Sequence, residues 1–271
     1  MLGTDKAKPS KTAADKAIVF AEREGYRALE LDIYRDADTD DAVAPLVVFV
    51  HGGGWRVGHR RAPRETRDWS EGFFERLCSA GFVVAAVSYR FSGEALFPAQ
   101  VDDVVDAIRW LREHAGDLGV ASDRTYVWGA SAGGTLAALA ALVPHQPPIA
   151  GAVIWYAVSD FLALDVDAAD TVEAQLFGGP IGEHVDLARA ASPVTHVRAD
   201  APPFFIQHGE ADTAVPFDQG LRLEKALRSV AGAVELEAVP GADHFFGGAP
   251  DVESIFGRAV AFLQRVDAEL A

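Results

Sequence analysis

The stretch Gly129-Ala130-Ser131-Ala132-Gly133, continued by Gly134, constrains this chain more than any other. A β-type run over residues 125–128 enters it, and an alanine- and leucine-rich helical run over residues 132–142 leaves it. A serine with glycine two places before and two places after, at a strand-to-helix turn, has the pattern of a nucleophile elbow. The turn is tight, so both flanking positions must be small. It lifts the hydroxyl clear of the sheet, at the positive end of the following helix. A pentapeptide can arise by chance, so the rest of the chain has to supply what such a serine needs.

The hydrophobic pattern predicts an alternation of strands and helices. Residues 26–35 alternate, with Leu29, Leu31 and Ile33 on one side and Glu30 and Asp32 on the other, as in a half-exposed antiparallel strand; residues 36–41 follow as a polar turn. Residues 46–50 form a continuous apolar run, expected of a strand covered on both faces; 82–87, 125–128, 150–158, 204–208 and 234–239 are the further buried strands. Helical segments are expected over 73–80, 220–230 and 255–270. In another, Val101, Val104, Val105, Ile108 and Leu111 share one face, Asp102, Asp103 and Asp106 take the other, and Pro98 opens the helix. This order predicts an α/β fold: a mostly parallel central sheet with helices on both faces and right-handed crossovers. Residues 159–201 are too long for an ordinary connection. Their apolar residues Phe161, Leu162, Leu164, Leu176 and Phe177 predict a small helical lid, within a single domain spanning residues 1–271. Ligands of such sheets bind beyond the carboxyl ends of the strands.

Composition removes several alternatives. A formal net charge of −16 argues against nucleic acid or an anionic membrane surface as partner. The single cysteine, Cys78, excludes an internal disulfide and a cysteine-based metal cage, and its helical context predicts a small buried thiol. No run approaches the ~18 apolar residues of a membrane span, and residues 1–17 carry no apolar segment of the signal-peptide kind. A cytoplasmic protein is the expectation.

A serine hydroxyl is a poor nucleophile at neutral pH. It needs a base, the base needs a carboxylate, and the oxyanion formed at a carbonyl needs amide donors. Of eight histidines, His244, in a glycine-containing loop after the last strand, is best placed to reach Ser131. His51 is expected to brace the glycine run behind it, and His208 to point inward from a strand end. His59, His114, His145, His184 and His196 sit in surface contexts. Asp212, between a strand and a helix, is assigned as the acid, with Asp160 as its rival; Glu210, Asp218 and Asp243 are expected to be solvated. Gly53 and Gly54, from His51-Gly52-Gly53-Gly54-Trp55, and Ala132 after the serine supply the expected amide donors. Tyr89 and Arg90 are expected to be structural, with Arg90 paired to a carboxylate.

These four ordered motifs, at residues 51–55, 129–134, 208–216 and 241–246, resemble the α/β-hydrolase superfamily, over nearly the whole chain from about Tyr26. Within it they are similar to the feruloyl/acetylxylan-esterase-like and hormone-sensitive-lipase-like carboxylesterases. Ala130 stands where the latter usually carry an acidic residue, and the N-terminal cap looks shortened, which favours the smaller esterase branch. The resemblance implies an α/β-hydrolase fold, Ser131, His244 and Asp212 as nucleophile, base and acid, an oxyanion hole at Gly53, Gly54 and Ala132, and a small-molecule ester substrate. It implies no metal or other cofactor. A small lid leaves little room for a long tail, so a short acyl group is expected. Trp55, Phe245 and Phe246 are expected at the pocket. Kynurenine-formamidase-like enzymes share the glycine loop with its tryptophan, so an arylformamidase or amidase using the same triad is the alternative.

Overall fold

The computed structural model describes residues 12–37, 43–61, 72–144 and 148–270. Among these, the strands are β1 (Thr12–Ala21), β2 (Leu29–Asp36), β3 (Ala44–Val50), β4 (Val83–Val87), β5 (Val120–Ala130), β6 (Gly151–Trp155), β7 (Phe204–Gly209) and β8 (Val234–Val239). They form one sheet in the spatial order β1-β2-β4-β3-β5-β6-β7-β8. β2 is antiparallel to both of its neighbours, β1 and β4, and every pairing from β4 across to β8 is parallel.

The helices are α1 (Phe73–Ser79), α2 (Ala99–Glu113), α3 (Ala115–Leu118), α4 (Ala132–Leu142), α5 (Val172–Phe177), α6 (Val185–Ala191), α7 (Asp218–Ser229) and α8 (Val252–Leu270). Alternation along each strand builds a core on both sides of the sheet. Leu46, Val48 and Val50 of β3 meet Val104 and Ile108 of α2, Leu136 of α4 and Leu223 of α7 on one side. Val47 and Phe49 meet Phe73 and Phe74 of α1, and the same core holds Phe256 and Phe262 of α8. α4 is buried along its whole length, which its alanine-rich, apolar-all-round sequence requires. No helix of the described residues is long and apolar enough to cross a membrane.

Two features of this topology bring the glycine run and the serine turn together. β3 lies between β4 and β5, so the chain reverses direction across the sheet there and a crevice opens beyond the carboxyl ends of β3 and β5. Val50 pairs with Gly129, which sets the glycine run after β3 beside the serine turn after β5. Residues 159–201 are an ordered, packed insertion holding α5, α6 and three 3₁₀ turns, and its Phe161, Leu176 and Phe177 enter the core.

One strand is unexpected, and two expectations need correction. The hydrophobic pattern shows no sign of β1. It is an edge strand whose pairing with β2 is interrupted between Asp15 and Ile18 and again between Val19 and Ala21, so no clean alternation shows. Asp32 and Asp103, expected on solvated faces, are fully buried. Asp32 accepts from Arg60 Nε at 2.9 Å, from Arg61 Nη2 at 3.1 Å and from the Ala17 N–H at 2.7 Å. Asp103 is gripped by Arg90 through Nη2 and Nε, at 2.7 and 2.8 Å, so the carboxylate expected for Arg90 is this one. None of these three cations is visible to a local periodicity, because each comes from outside the strand or helix that carries its carboxylate. Cys78 is buried, as expected, and burial pushes its thiol up to about 12. His145 and the end of the polar turn at 36–41 lie outside the described residues.

Burial opposes ionisation of Asp32, but the Arg61, Ala17 and Arg60 hydrogen bonds outweigh it and hold the carboxyl at about 2, below its ordinary 3.8. A carboxyl lowered on folding stabilises above its ordinary value, and that stability is lost as pH falls through about 4 toward 2. Asp32→Asn is expected to cost roughly 3 kcal/mol at neutral pH, read by urea unfolding. It should also flatten part of the fall in melting temperature between those pH values. An unchanged acid limb would contradict this account.

Candidate active site

Ser131 sits between β5 and α4 with φ 53° and ψ −125°, a backbone conformation that a non-glycine residue holds only under constraint. The constraint is visible. The Ser131 N–H donates to the Trp155 carbonyl of β6 at 2.9 Å, and Thr135 N–H returns to the Ser131 carbonyl at 3.1 Å. Glycine is obligatory on either side. A Cβ on Gly129 would lie 2.2 Å from the Gly133 carbonyl oxygen, and one on Gly133 would lie 2.1 Å from that of Val50.

His244 arrives from the turn after β8. Asp243 holds this turn by accepting from the N–H groups of Phe245 and Gly247, at 2.9 and 2.7 Å. Asp212 arrives from the turn after β7. Gly209, at the end of β7, lets the two turns touch, since a Cβ there would lie 2.3 Å from the Ala242 carbonyl oxygen. His244 Nε2 is 2.8 Å from Ser131 Oγ, and His244 Nδ1 is 2.7 Å from Asp212 Oδ2. A carboxylate only accepts, so the proton sits on Nδ1 and Nε2 is left to accept from the serine hydroxyl.

Asp212 is enclosed. Its Oδ1 accepts from the N–H groups of Ala214 and Val215, both at 2.9 Å. Its burial opposes the charged form, yet the adjoining His208 ring and hydrogen bonds from His244 and Val215 hold the carboxyl well below the usual carboxylate range. It therefore stays ionised at neutral pH, where it can orient His244 and stabilise an imidazolium. Asp160, the rival acid, accepts from Leu162 N–H and pairs with Arg222.

The glycine loop is turned by positive φ at Gly53 (115°) and Gly54 (59°). The Gly53 carbonyl is tied into its own loop, accepting from Arg56 and Val57 N–H at 3.1 Å each. The His51 Nδ1–H donates to the Gly52 carbonyl at 2.7 Å, and the ring stacks on Tyr89, whose hydroxyl donates to the His51 carbonyl at 3.0 Å. Burial pushes His51 down to about 4, so it braces the loop as a neutral ring. Bracing by His51 is what the sequence suggests; the share taken by Tyr89 is additional. Ala132 is the first residue of α4, and first-turn N–H groups have no acceptor within their own helix.

Of the three aromatic residues expected at the pocket, only Phe245 is exposed, and it lies edge-on to His244. Trp55 and Phe246 are buried: Trp55 packs on Phe161 of the insertion, and Phe246 on Trp155 and Tyr156. Sequence reasoning missed Tyr156, whose ring lies 4.8 Å from that of His244. It also missed Val172, whose methyls lie 3.0–3.4 Å from where a Gly54 Cβ would stand. Neither belongs to a motif; only the pairing of β6 and the packing of the insertion bring them in.

The sheet, the serine turn and the two loops that face it define an α/β-hydrolase. A family model described as BD-FAE matches residues 31–227, and the chain belongs to that family. A probable carboxylic ester hydrolase of Mycobacterium tuberculosis, LipM, is 33% identical over 222 residues, 76% of this chain and 50% of that protein. The chain thus spans only about half the length of this relative, and 57% of LipQ, an esterase of the same organism that is also 33% identical and matches 85% of this chain. Among solved structures, a truncated carbohydrate esterase from gut microbiota shares the fold at a TM-score of 0.84 and 24% identity, covering 97% of this chain and 99% of that one. The Est2 esterase of Thermogutta terrifontis, solved with propionate bound, has a TM-score of 0.72 at 27% identity and covers 97% and 93% of the two chains. Solved phosphorylated by paraoxon, that esterase has a TM-score of 0.73 at 26% identity, covering 100% and 96%.

Because its Cβ would meet backbone, Gly133→Ala is expected to cost about 1–3 kcal/mol and to displace Ser131 from His244. Thermal unfolding reads the first effect, and slowed labelling of Ser131 by paraoxon reads the second. A variant as stable and as readily labelled as the parent would contradict this packing.

Proposed function

We propose that this chain is a serine carboxylesterase that hydrolyses short-chain acyl esters through an acyl-enzyme. The observation that carries the reading is the unbroken line from Ser131 Oγ through His244 to Asp212, with links of 2.8 and 2.7 Å. In the proposed reaction Ser131 Oγ attacks the ester carbonyl carbon while its proton passes to His244 Nε2. The carbonyl oxygen becomes an oxyanion and accepts from the N–H groups of Gly53, Gly54 and Ala132. Asp212 stabilises the imidazolium. When the tetrahedral intermediate collapses, the alcohol leaves with the proton from His244. Water, deprotonated by the same ring, then releases the carboxylic acid and restores the serine.

The relatives support the ester class: the esterases LipM and LipQ share a third of the aligned residues with this chain, and the Thermogutta terrifontis esterase has been solved with propionate and phosphorylated by paraoxon. A short acyl group suits a site whose glycine loop is closed over by Val172 of the insertion. Residues 159–201 are the proposed lid of a single domain, and the exposed Phe245 is the aromatic proposed to meet the substrate. The unpaired Cys78 thiol is in keeping with a cytoplasmic setting.

A ladder of p-nitrophenyl esters tests this reading. Acetyl or butyryl esters are expected to give a higher kcat/KM than octanoyl or longer ones, and Ser131→Ala to lower kcat by about 10⁴-fold or more. Paraoxon should add a single phosphoryl group, at Ser131. Full activity in Ser131→Ala, or faster turnover of the long chains, would overturn it.

A further inference from the structure

His208 belongs to none of the roles assigned so far, yet its ring is completely buried beside them. It is the penultimate residue of β7, and its Nε2 lies 2.9 Å from the Val215 carbonyl oxygen. A carbonyl only accepts, so the ring carries its proton on Nε2. The same nitrogen lies 3.3 Å from Asp212 Oδ2, the oxygen that receives His244, so the ring that holds Val215 also packs against the carboxylate. We infer that His208 is a positioning residue, which clasps the 212–215 turn to β7 and fixes the Asp212 carboxylate for its hydrogen bond to His244.

The inference rests on the Ser131–His244–Asp212 reading and deepens it. The two carboxylate oxygens are held differently. Oδ1 is anchored by the backbone N–H groups of Ala214 and Val215. Oδ2 has no backbone donor among these contacts and depends on two imidazoles, His244 at 2.7 Å and His208 at 3.3 Å. With His208 removed, Oδ1 stays anchored while Oδ2 swings about it, and the orientation of His244 loosens with it. The turn would also lose the tie from the Val215 carbonyl to the strand.

The far side of the ring argues that this N–H is what the imidazole is for. His208 Nδ1 is buried with no hydrogen-bond partner among the described residues. It faces Gly220 of α7, where a Cβ would come within 3.1 Å of it, and the Phe217 ring lies edge-on at 5.7 Å. Burying an unsatisfied nitrogen is destabilising, and an apolar ring would fill the same space without that cost. What an apolar ring lacks is the donor that holds the Val215 carbonyl beside Asp212. The His208 ring beside the carboxylate also helps offset burial and keep Asp212 ionised.

Three substitutions in the full chain test the inference, with kcat and KM for p-nitrophenyl butyrate measured well below each variant's melting temperature. His208→Gln sets an amide nitrogen at the height of Nε2, His208→Asn sets one at the height of Nδ1, and His208→Phe supplies none. The Gln variant is expected to keep most of kcat. The Asn and Phe variants should lose about 10- to 100-fold in kcat, the range seen when a partner that orients a functional imidazole is removed, with KM unchanged. If the Phe variant does not fold, the comparison of Gln with Asn decides. Equal losses in Gln and Asn, or wild-type kcat in Asn or Phe, would overturn the inference. Ser131→Ala is run alongside: activity surviving there sinks the reading of the site itself, whereas an inactive Ser131→Ala beside unaffected His208 variants sinks only the role of His208.

Discussion

Where α4 begins, its first turn presses against the carbonyl oxygens of Val50 and His51 with no side chain between, because residue 133 is glycine. The serine turn and the end of β3 are thereby held at backbone contact. That closeness gives the 52–54 loop a place opposite Ser131, and it fixes the direction in which α4 enters the core. The strained backbone at Ser131 persists because its N–H is fastened to β6 and the helix behind it is buried throughout. A bulkier residue anywhere along this seam would separate the two strand ends that the proposed chemistry needs side by side.

Buried carboxylates show a second pattern. Asp32 and Asp103 are paired with guanidinium groups. Asp212 is instead satisfied by two backbone N–H groups and the His244 imidazole, with the His208 ring packed beside it. Arginine remains protonated under all ordinary conditions, so the first two pairings are static ties. An imidazole can gain and give up a proton near neutrality. The carboxylate at the end of β7 is therefore the one whose partner can change charge during a reaction.

Much of this was legible in the sequence because the relevant signals are local. Alternation, glycine placement and the order of serine, aspartate and histidine each occupy a few consecutive residues, and they indicated the sheet, its flanking helices and the residues now found in hydrogen-bond contact. What escaped depends on contacts between distant segments. Asp32 does lie opposite Leu31 and Ile33 on its strand, as the alternation says. That face is nonetheless closed, by Arg60 arriving from the loop after β3. Phe246 reads as a pocket residue from its neighbour His244, but a positive φ turns it into the core. His208 was expected to point inward and does; nothing in its neighbourhood of sequence revealed that it would meet Asp212.

The insertion between β6 and β7 leaves the sheet and returns to it at adjacent strands, since β6 and β7 are paired directly. The separation between Ser131 and the two turns beyond β7 and β8 is consequently set by strand spacing, and the length of residues 159–201 does not enter it. Evolution can therefore lengthen, shorten or exchange that excursion while the hydrogen-bonded line from Ser131 to Asp212 keeps its dimensions.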